Sequence, residues 1–584
     1  MKKEYPRPQM VRDRWMNLNG TWEFEYDFGN SGIDREFQKR DKFSEKILVP
    51  FCPESELSGH GYKDFMNSVW YRRNFKVPSD WNGGHILLNF EAVDYECRVW
   101  VNGVLACTHK GGYTPFSADI TNLLSEGENI IVVNAKDDCR TGKQPAGKQI
   151  PSYYSKYCRY TRVTGIWQTV WLEHVPITYV KSYHITSDIY NSKADLTVFF
   201  NDATEEKEIT VKATYEGKVM GEITAKTYSG VLQFSVPLEE LYLWEPLDAK
   251  LYDLEISLVS NNEVDRISGY FGMRSLRIND KCILINDKPV FQKLVLDQGY
   301  YPKGIYTAKN DEELKRDIEL SIKLGFNGAR MHQKVFERRY IYYADKYGYL
   351  LWGEYANYAL DHTKAEALEI YLPEWLESVE RDFNSPAIIG WCPFNETWDY
   401  EGRKQDDDVI YNIYNATKVA DPTRPVIDTS GNYHVETDIY DIHAYEQDTK
   451  KFEEFFKPMA TGGEPYDNFS ERQKYMGQPY FISEYGGIWW SSDKDEGWGY
   501  GNRPKTEEEF VERFCSLTRT LIQNPNIFAL CYTQLYDVEQ ETNGIYDYDR
   551  NIKFSKENME KLREVMIETA AIEKQNRNTN SNYY

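Results

Sequence analysis

The hydrophobic period of this chain changes once, near residue 280, and that change limits the folds open to it more than any other feature. Downstream of it, helical stretches such as Asp311-Glu-Glu-Leu-Lys-Arg-Asp-Ile-Glu-Leu alternate with short apolar runs. Such alternation predicts a parallel sheet with crossover helices. The expected strands are Val290–Leu296, Phe326–Met331, Tyr349–Gly353, Ile388–Pro393, Val426–Asp428, Ile439–His443, Tyr480–Ser483 and Phe528–Thr533. Eight βα units over about 300 residues match the size of a (β/α)8 TIM barrel, whose chemistry gathers at the C-terminal ends of its strands.

Upstream, the period is two. Ile86-Leu-Leu-Asn-Phe, Cys97-Arg-Val-Trp-Val and Ile130-Ile-Val-Val-Asn are short alternating runs, and Asn102-Gly103 marks a hairpin tip, so antiparallel sheet is expected up to about residue 175. The next hundred residues repeat the pattern with more polar strands, for example Asp195-Leu-Thr-Val-Phe-Phe, and read as a second, smaller β-sandwich. Boundaries are placed at Pro176 and just after Ser268-Gly-Tyr-Phe-Gly-Met-Arg. A length of 584 residues fits such a multidomain chain of about three to four units.

Composition narrows the partners. A net charge of −23 disfavours phosphate backbones and anionic lipid, so neither nucleic acid nor a membrane is expected as a partner. It leaves a symmetric homo-oligomer open. The 46 Tyr and 15 Trp suit stacking on the apolar faces of sugars. Nine scattered cysteines without a Cys-x-x-Cys pair suggest neither a disulfide framework nor a zinc knuckle, and no apolar run follows Lys2 and Lys3, so a cytoplasmic location is expected. The chain carries no nucleotide-loop signature, and no cofactor and no metal are expected.

Two glutamates end two well-separated strands: Glu396 in Trp391-Cys-Pro-Phe-Asn395-Glu396-Thr-Trp398, and Glu484 in Phe481-Ile-Ser-Glu484-Tyr-Gly-Gly. Glycoside hydrolysis with retention needs two carboxyl groups about 5 to 5.5 Å apart, one to attack the anomeric carbon and one to protonate the leaving oxygen. The mouth of a barrel offers that spacing between strands four and seven. The site is then expected to separate the two pKa values, with the attacking group ionised and its partner protonated. Trp391, Trp398, Trp489 and Trp490 flank the pair and are candidates for stacking on the sugar.

The chain resembles glycoside hydrolase family 2, the family of β-galactosidases, β-glucuronidases and β-mannosidases. The ordered set of landmarks carries the resemblance: Leu18-Asn-Gly-Thr-Trp-Glu-Phe, Val69-Trp-Tyr-Arg-Arg-Asn-Phe, Phe90-Glu-Ala-Val-Asp-Tyr-Glu, Tyr160-Thr-Arg-Val-Thr-Gly-Ile-Trp-Gln, Phe271-Gly-Met-Arg, Gly325-Phe-Asn-Gly-Ala-Arg and Asn395-Glu396. It implies a jelly-roll sugar-binding β-sandwich at 1–175, an immunoglobulin-like β-sandwich at 176–277 and a catalytic TIM barrel at 278–584. It implies Glu396 as general acid/base, Glu484 as nucleophile, Asn395 as partner of the sugar 2-hydroxyl and Arg330 as support for the nucleophile. His332 departs from the commoner Arg-x-x-His-Tyr-Pro spacing, which leaves its role open. His443 and Tyr445, after strand six, are candidates to bind sugar or nucleophile.

The resemblance implies a carbohydrate substrate without fixing the sugar. Glucuronidases of the family carry an Asn-x-Lys pair before Gly-Ile-Phe. The corresponding stretch, Glu541-Thr-Asn543-Gly544-Ile-Tyr, has no lysine, and its carboxylate would repel a uronate, unless Lys505 or Lys553 reaches in. Glu354 and His362 are isolated and form no secure metal-ligand cluster. The expectation is a retaining exo-β-glycosidase, β-galactosidase first, with β-glucuronidase or β-galacturonidase, β-mannosidase and α-L-arabinosidase behind it. A catalytically silent carbohydrate-binding protein is the alternative from another class. The polar loop 137–149 of the first domain is either an ordinary solvent loop or a cover for the barrel mouth.

Overall fold

A computed structural model describes residues 2–279, 281–491 and 497–574. The first β unit is a sandwich of two antiparallel sheets, one of four strands (Trp15–Asn17, Val170–Val175, His85–Phe90, Phe116–Asp119) and one of six. Its core follows from period two: Ile131, Val133 and Ala135 of one strand point inward with Val99 and Val101 of the next. The hairpin at Asn102-Gly103 forms as expected, both residues having positive φ (50° and 81°), the twist that a two-residue turn between antiparallel strands requires.

The second unit packs a three-stranded against a four-stranded sheet. Strand Lys193–Phe200 alternates strictly, with Ala194, Leu196, Val198 and Phe200 buried. A buried ion network joins the two sandwiches: Arg12 donates to Asp265 at 2.8 Å and to Glu173 at 3.0 Å.

The third unit is the barrel. Its strands are β1 Gln292–Asp297, β2 Gly328–Met331, β3 Leu350–Glu354, β4 Ile388–Cys392, β5 Thr429–Ser430, β6 Tyr440–Ala444, β7 Tyr480–Gly486 and β8 Ile527–Thr533. Seven form one parallel sheet in the order β4-β3-β2-β1-β8-β7-β6. The fifth differs from expectation. Val426 makes a single bridge to Trp391, and the ladder resumes at Thr429–Ser430, paired with Phe394–Asn395 just past β4. The far side of β5 is closed by side chains, Ser430 Oγ donating to Asp441 on β6 at 2.6 Å.

Inside the barrel, glycine and tryptophan alternate across neighbouring strands. A Cβ on Gly353 would lie 2.5 Å from the Trp391 ring, and one on Gly390 would lie 2.4 Å from Trp352. Both indoles therefore fill the interior, and the mouth is left to the residues beyond the strand ends.

Candidate active site

Glu484 lies within β7 and is 4% exposed. Arg330, on β2 and wholly inside, spreads its guanidinium over four partners. Nη1 reaches Glu484 Oε1 at 3.3 Å and the Ser483 carbonyl at 2.7 Å, Nη2 donates to Asn395 Oδ1 at 3.0 Å, and Nε donates to Glu354 Oε1 at 2.6 Å. The planar fork thus fixes the nucleophile candidate and the Asn395 amide in one plane of contacts. Glu354, at the end of β3, is the counter-charge that makes this buried cation tolerable.

Glu396 follows the Phe394–Asn395 bridge with φ at 51°, a left-handed conformation that costs a non-glycine residue on the order of 1 kcal/mol and recurs where a side chain must be aimed. Its Oε2 accepts from Tyr358 Oη at 2.6 Å and its Oε1 from His443 Nδ1 at 2.7 Å. Asn395 is held from both sides: Asn357 accepts from its backbone N–H and donates to its carbonyl, each at 2.9 Å, while its own Nδ2 donates to Tyr358 at 3.0 Å.

His443, on β6, stands between the two carboxylates, with Nδ1 2.7 Å from Glu396 Oε1 and 3.4 Å from Glu484 Oε2. Its Nε2 lies 3.2 Å from Ser430 Oγ, whose one hydrogen goes to Asp441. Ser430 therefore accepts from Nε2–H, and with Glu396 ionised Nδ1 carries the second hydrogen of an imidazolium. Although burial pushes it down, Glu484 and Glu396 raise the His443 pKa above its ordinary value. Gly431 makes room for the ring: a Cβ there would lie 2.5 Å from it.

The donor atoms of Glu396, His443 and Glu484 all lie within 4.8 Å of one another. So close an approach of the two carboxylate oxygens is compatible with attack and protonation on one glycosidic bond with retention. Burial raises both carboxyl pKa values and the surrounding cations more than reverse it. His443, then His332 and Arg330, hold Glu484 well below the usual range. The His443 hydrogen bond and charge hold Glu396 below its ordinary value as well. Glu484 is thus held lower than Glu396, the expected order, and Glu396 faces His443 Nδ1 across 2.7 Å, where one proton can pass between them.

Tyr445 donates to Glu484 Oε2 at 2.5 Å and stacks on Tyr500 with ring centroids 3.6 Å apart. His332 joins the same cluster, its Nε2 3.3 Å from Glu484 Oε1. Of the tryptophans, Trp398 is 46% exposed and turns its indole N–H towards Glu396 at 3.4 Å. Trp391 is not at the mouth: it is 1% exposed and its indole N–H is spent on Asp421 at 2.8 Å, so stacking on a sugar is ruled out for it. Trp490 packs between Phe554 and the Arg503 guanidinium as wall. Trp489 is half-buried against Gly499, and its Nε1 has no hydrogen-bond partner among the described residues.

Several site residues were not singled out from the sequence. Asn357 and Tyr358 follow β3, so the strand-end rule was the available signal. Loop 137–149 was left open and lies on the mouth: Ala146 N–H donates to the Tyr358 carbonyl at 2.8 Å, and Asp361 N–H to the Gly142 carbonyl at 3.1 Å. It brings Lys148, 6% exposed, over the Tyr358 ring at 5.3 Å and into the field of Glu541, Glu484 and Glu396. Arg159 covers the same ring at 4.7 Å. Glu541 is buried, accepting from Tyr160 of the first unit and from Asn543 at 2.9 Å. Neither lysine proposed to replace the missing one does so: Lys553 is paired with Asp537 at 2.7 Å, and Lys505 is exposed. Glu354 and His362 do not meet, the latter bonding the Trp398 carbonyl at 3.0 Å.

Family models described as glycosyl hydrolases family 2 match in sequence order: the sugar binding domain at residues 15–176, a second model at 178–274 and the TIM barrel domain at 276–492. A β-glucuronidase of Paenibacillus borealis is 26% identical over 72% of this chain and 74% of that protein. A β-galactosidase of Thermoanaerobacter pseudethanolicus is 25% identical over 68% of this chain and 52% of that protein. Among solved structures, Ruminococcus gnavus β-glucuronidase superposes with a TM-score of 0.79 at 19% identity, covering 97% of this chain and 99% of that one. A Lactobacillus rhamnosus β-glucuronidase gives 0.77 at 23% identity over 97% and 99%.

Proposed function

This chain belongs to glycosyl hydrolase family 2 and is a retaining O-glycosyl hydrolase, and on that footing we propose that it is an exo-β-glycosidase for a neutral terminal sugar, β-galactosides first. Glu484 attacks the anomeric carbon. Glu396, recovering the proton held on His443 Nδ1, delivers it to the leaving oxygen and then serves as base for the water that releases the sugar. Asn395, with its amide oxygen taken by Arg330 and one Nδ2 hydrogen on Tyr358, offers its second Nδ2 hydrogen to the sugar 2-hydroxyl.

One observation carries the choice of a neutral sugar. The family resemblance matches Glu541 and Asn543 to the glucuronidase Asn-x-Lys pair, and Glu541 is a buried acceptor with Lys148 as its facing cation. A sugar hydroxyl can donate to Glu541, whereas a sugar carboxylate would compete with it for Lys148. Loop 137–149, seated across the mouth, supports action on chain ends.

A second reading, a β-glucuronide or β-galacturonide, is favoured by Lys148 itself, which has no carboxylate within hydrogen-bond reach among the described residues, and by the names of several relatives. The test compares kcat/KM for aryl β-galactoside, β-glucoside, β-mannoside, α-L-arabinopyranoside and β-glucuronide in the native enzyme and in Lys148→Met. The proposal expects a neutral sugar to lead. A leading glucuronide that loses at least about tenfold in Lys148→Met, as removal of a charge-assisted contact does, selects the second reading.

A further inference from the structure

A hydrogen-bonded file of buried side chains runs from Glu541 to His332, whose other nitrogen faces Glu484 at ion-pair distance without hydrogen-bond geometry. His332 Nε2 lies 3.3 Å from Glu484 Oε1, and its Nδ1 lies 3.0 Å from Gln298 Oε1. Gln298 Nε2 donates to Gln534 Oε1 at 2.9 Å, Gln534 Nε2 to Asn543 Oδ1 at 2.7 Å, and Asn543 Nδ2 to Glu541 Oε1 at 2.9 Å. Tyr160 donates to the other Glu541 oxygen. Gln534 and Asn543 are fully buried.

Three primary amides in single file have a direction. Each offers an oxygen at one end and an N–H at the other, and turning one alone sets N–H against N–H or oxygen against oxygen, so all three turn together or not at all. An ionised Glu541 only accepts. Asn543 must then give it an N–H, and the sense passes along the file until Gln298 presents its oxygen to His332, which must carry a hydrogen on Nδ1. A lone pair on Nε2 would oppose the Glu484 carboxylate, so over the acid limb Nε2 carries the second N–H of an imidazolium. A protonated Glu541 has a hydrogen to give. The file reverses, Gln298 donates to Nδ1, and a neutral His332 turns its one N–H to Glu484.

We propose that Glu541 is a positioning residue for the nucleophile: through Asn543, Gln534 and Gln298 it fixes which nitrogen of His332 carries hydrogen, and with it the charge that faces Glu484. The proposal rests on Glu484 being the nucleophile. The groups around the two ends balance the choice. Lys148 from loop 137–149, Cys158, Tyr160, Tyr500 and Glu484 surround Glu541. Lys148, Glu354 and Glu484 surround His332. Burial favours the neutral form at both ends, raising the Glu541 pKa and lowering that of His332.

The acid limb of kcat/KM, read with the best aryl glycoside, tests this in the native enzyme, Glu541→Gln, Gln534→Met and the double variant. Glutamine at 541 removes the charge that holds the file in its first sense and can give an N–H to Asn543 as a protonated glutamate does; the reversed file leaves His332 neutral, and the limb moves up by about one pH unit. Loss of the Glu541 charge acting directly on Glu484 would move the limb down, so the sign separates the two causes. In Gln534→Met the file is cut, and adding Glu541→Gln moves the limb down or not at all. An unchanged or lowered limb in Glu541→Gln, or an equal rise on the Gln534→Met background, overturns the proposal. Asn543→Asp provides a second variant of opposite sign: an acceptor there holds the first sense and lowers the limb, and a raised limb counts against the file. Failure of the nucleophile assignment itself is seen separately, as turnover that persists in Glu484→Gln.

Discussion

His443 stands between two carboxylates whose oxygens come within 4.8 Å of each other, and its raised pKa couples the pH dependence of the enzyme to both. Both glutamates have depressed pKa values in the free site, chiefly through this ring against the opposing effect of burial. In His443→Phe both rise. Attack needs Glu484 ionised and departure needs Glu396 protonated, so both limbs of the kcat/KM profile move to higher pH. A profile that keeps its position would place the protonating group elsewhere. Glu396→Ala removes the proposed general acid, a contribution of about 10²- to 10⁴-fold, and the loss is expected to fall mainly on substrates with poor leaving groups. Activated aryl glycosides keep most of their rate of first-step attack, which burst kinetics measure directly.

The strand ends set where the chemistry sits, and the loops beyond them set what may enter. Most barrel strands were legible because continuous apolar runs bounded by helix patterns have few other readings. β5 was legible only in place: its register is set by Trp391 and by the Ser430–Asp441 contact, neither visible as a periodic signal. Glu396, Glu484, Asn395, Arg330, His332, His443 and Tyr445 stand together at the mouth, since strand-end position is a property of the sequence pattern. Trp391 was misread because an aromatic beside a strand-end motif looks the same whether it faces the mouth or fills the gap over Gly353. Lys148, Arg159 and Tyr160 come from another domain, and no local pattern links them to the barrel. Gly147 is the hinge point of that contribution. Its φ is +56°, and a Cβ would lie 2.2 Å from the Gln333 carbonyl, next to His332. Gly147→Ala is expected to lift the loop, raising KM at least about fivefold, roughly the cost of one lost hydrogen bond, while thermal unfolding shifts little. An unchanged KM would return loop 137–149 to the solvent.

At the scale of the molecule, the first domain adds Lys148, Arg159 and Tyr160 to the surroundings of the barrel mouth. The docking surface contains a carboxyl that is pushed up to about 7 by burial, Glu374, which accepts from Tyr95 of the sandwich and from Tyr355 of the barrel at 2.8 Å. A carboxyl whose folded pKa lies above its unfolded value is neutral in both states at low pH and opposes folding as pH rises between the two values. Glu374→Gln is therefore expected to raise the melting temperature at pH 8 and to leave it nearly unchanged at pH 4, by differential scanning calorimetry. Stabilisation at both pH values would mean that charge is not the cause. Glu173 acts in the opposite direction. Burial raises its pKa, but Arg12 and Arg7 more than reverse this and hold it low, so its contribution to the junction of the two sandwiches is lost as pH falls through its folded pKa.

The central claim is that Glu484 attacks the sugar and Glu396 serves it as acid and base. The most direct measurement is mass-spectrometric mapping of the enzyme after reaction with an activated 2-deoxy-2-fluoro-β-glycoside of the preferred sugar, which slows release of the glycosyl-enzyme. The account predicts one covalent sugar per chain, on Glu484, with activity recovering as the sugar is released. A label on another residue, or hydrolysis with inversion and no label at all, would contradict it.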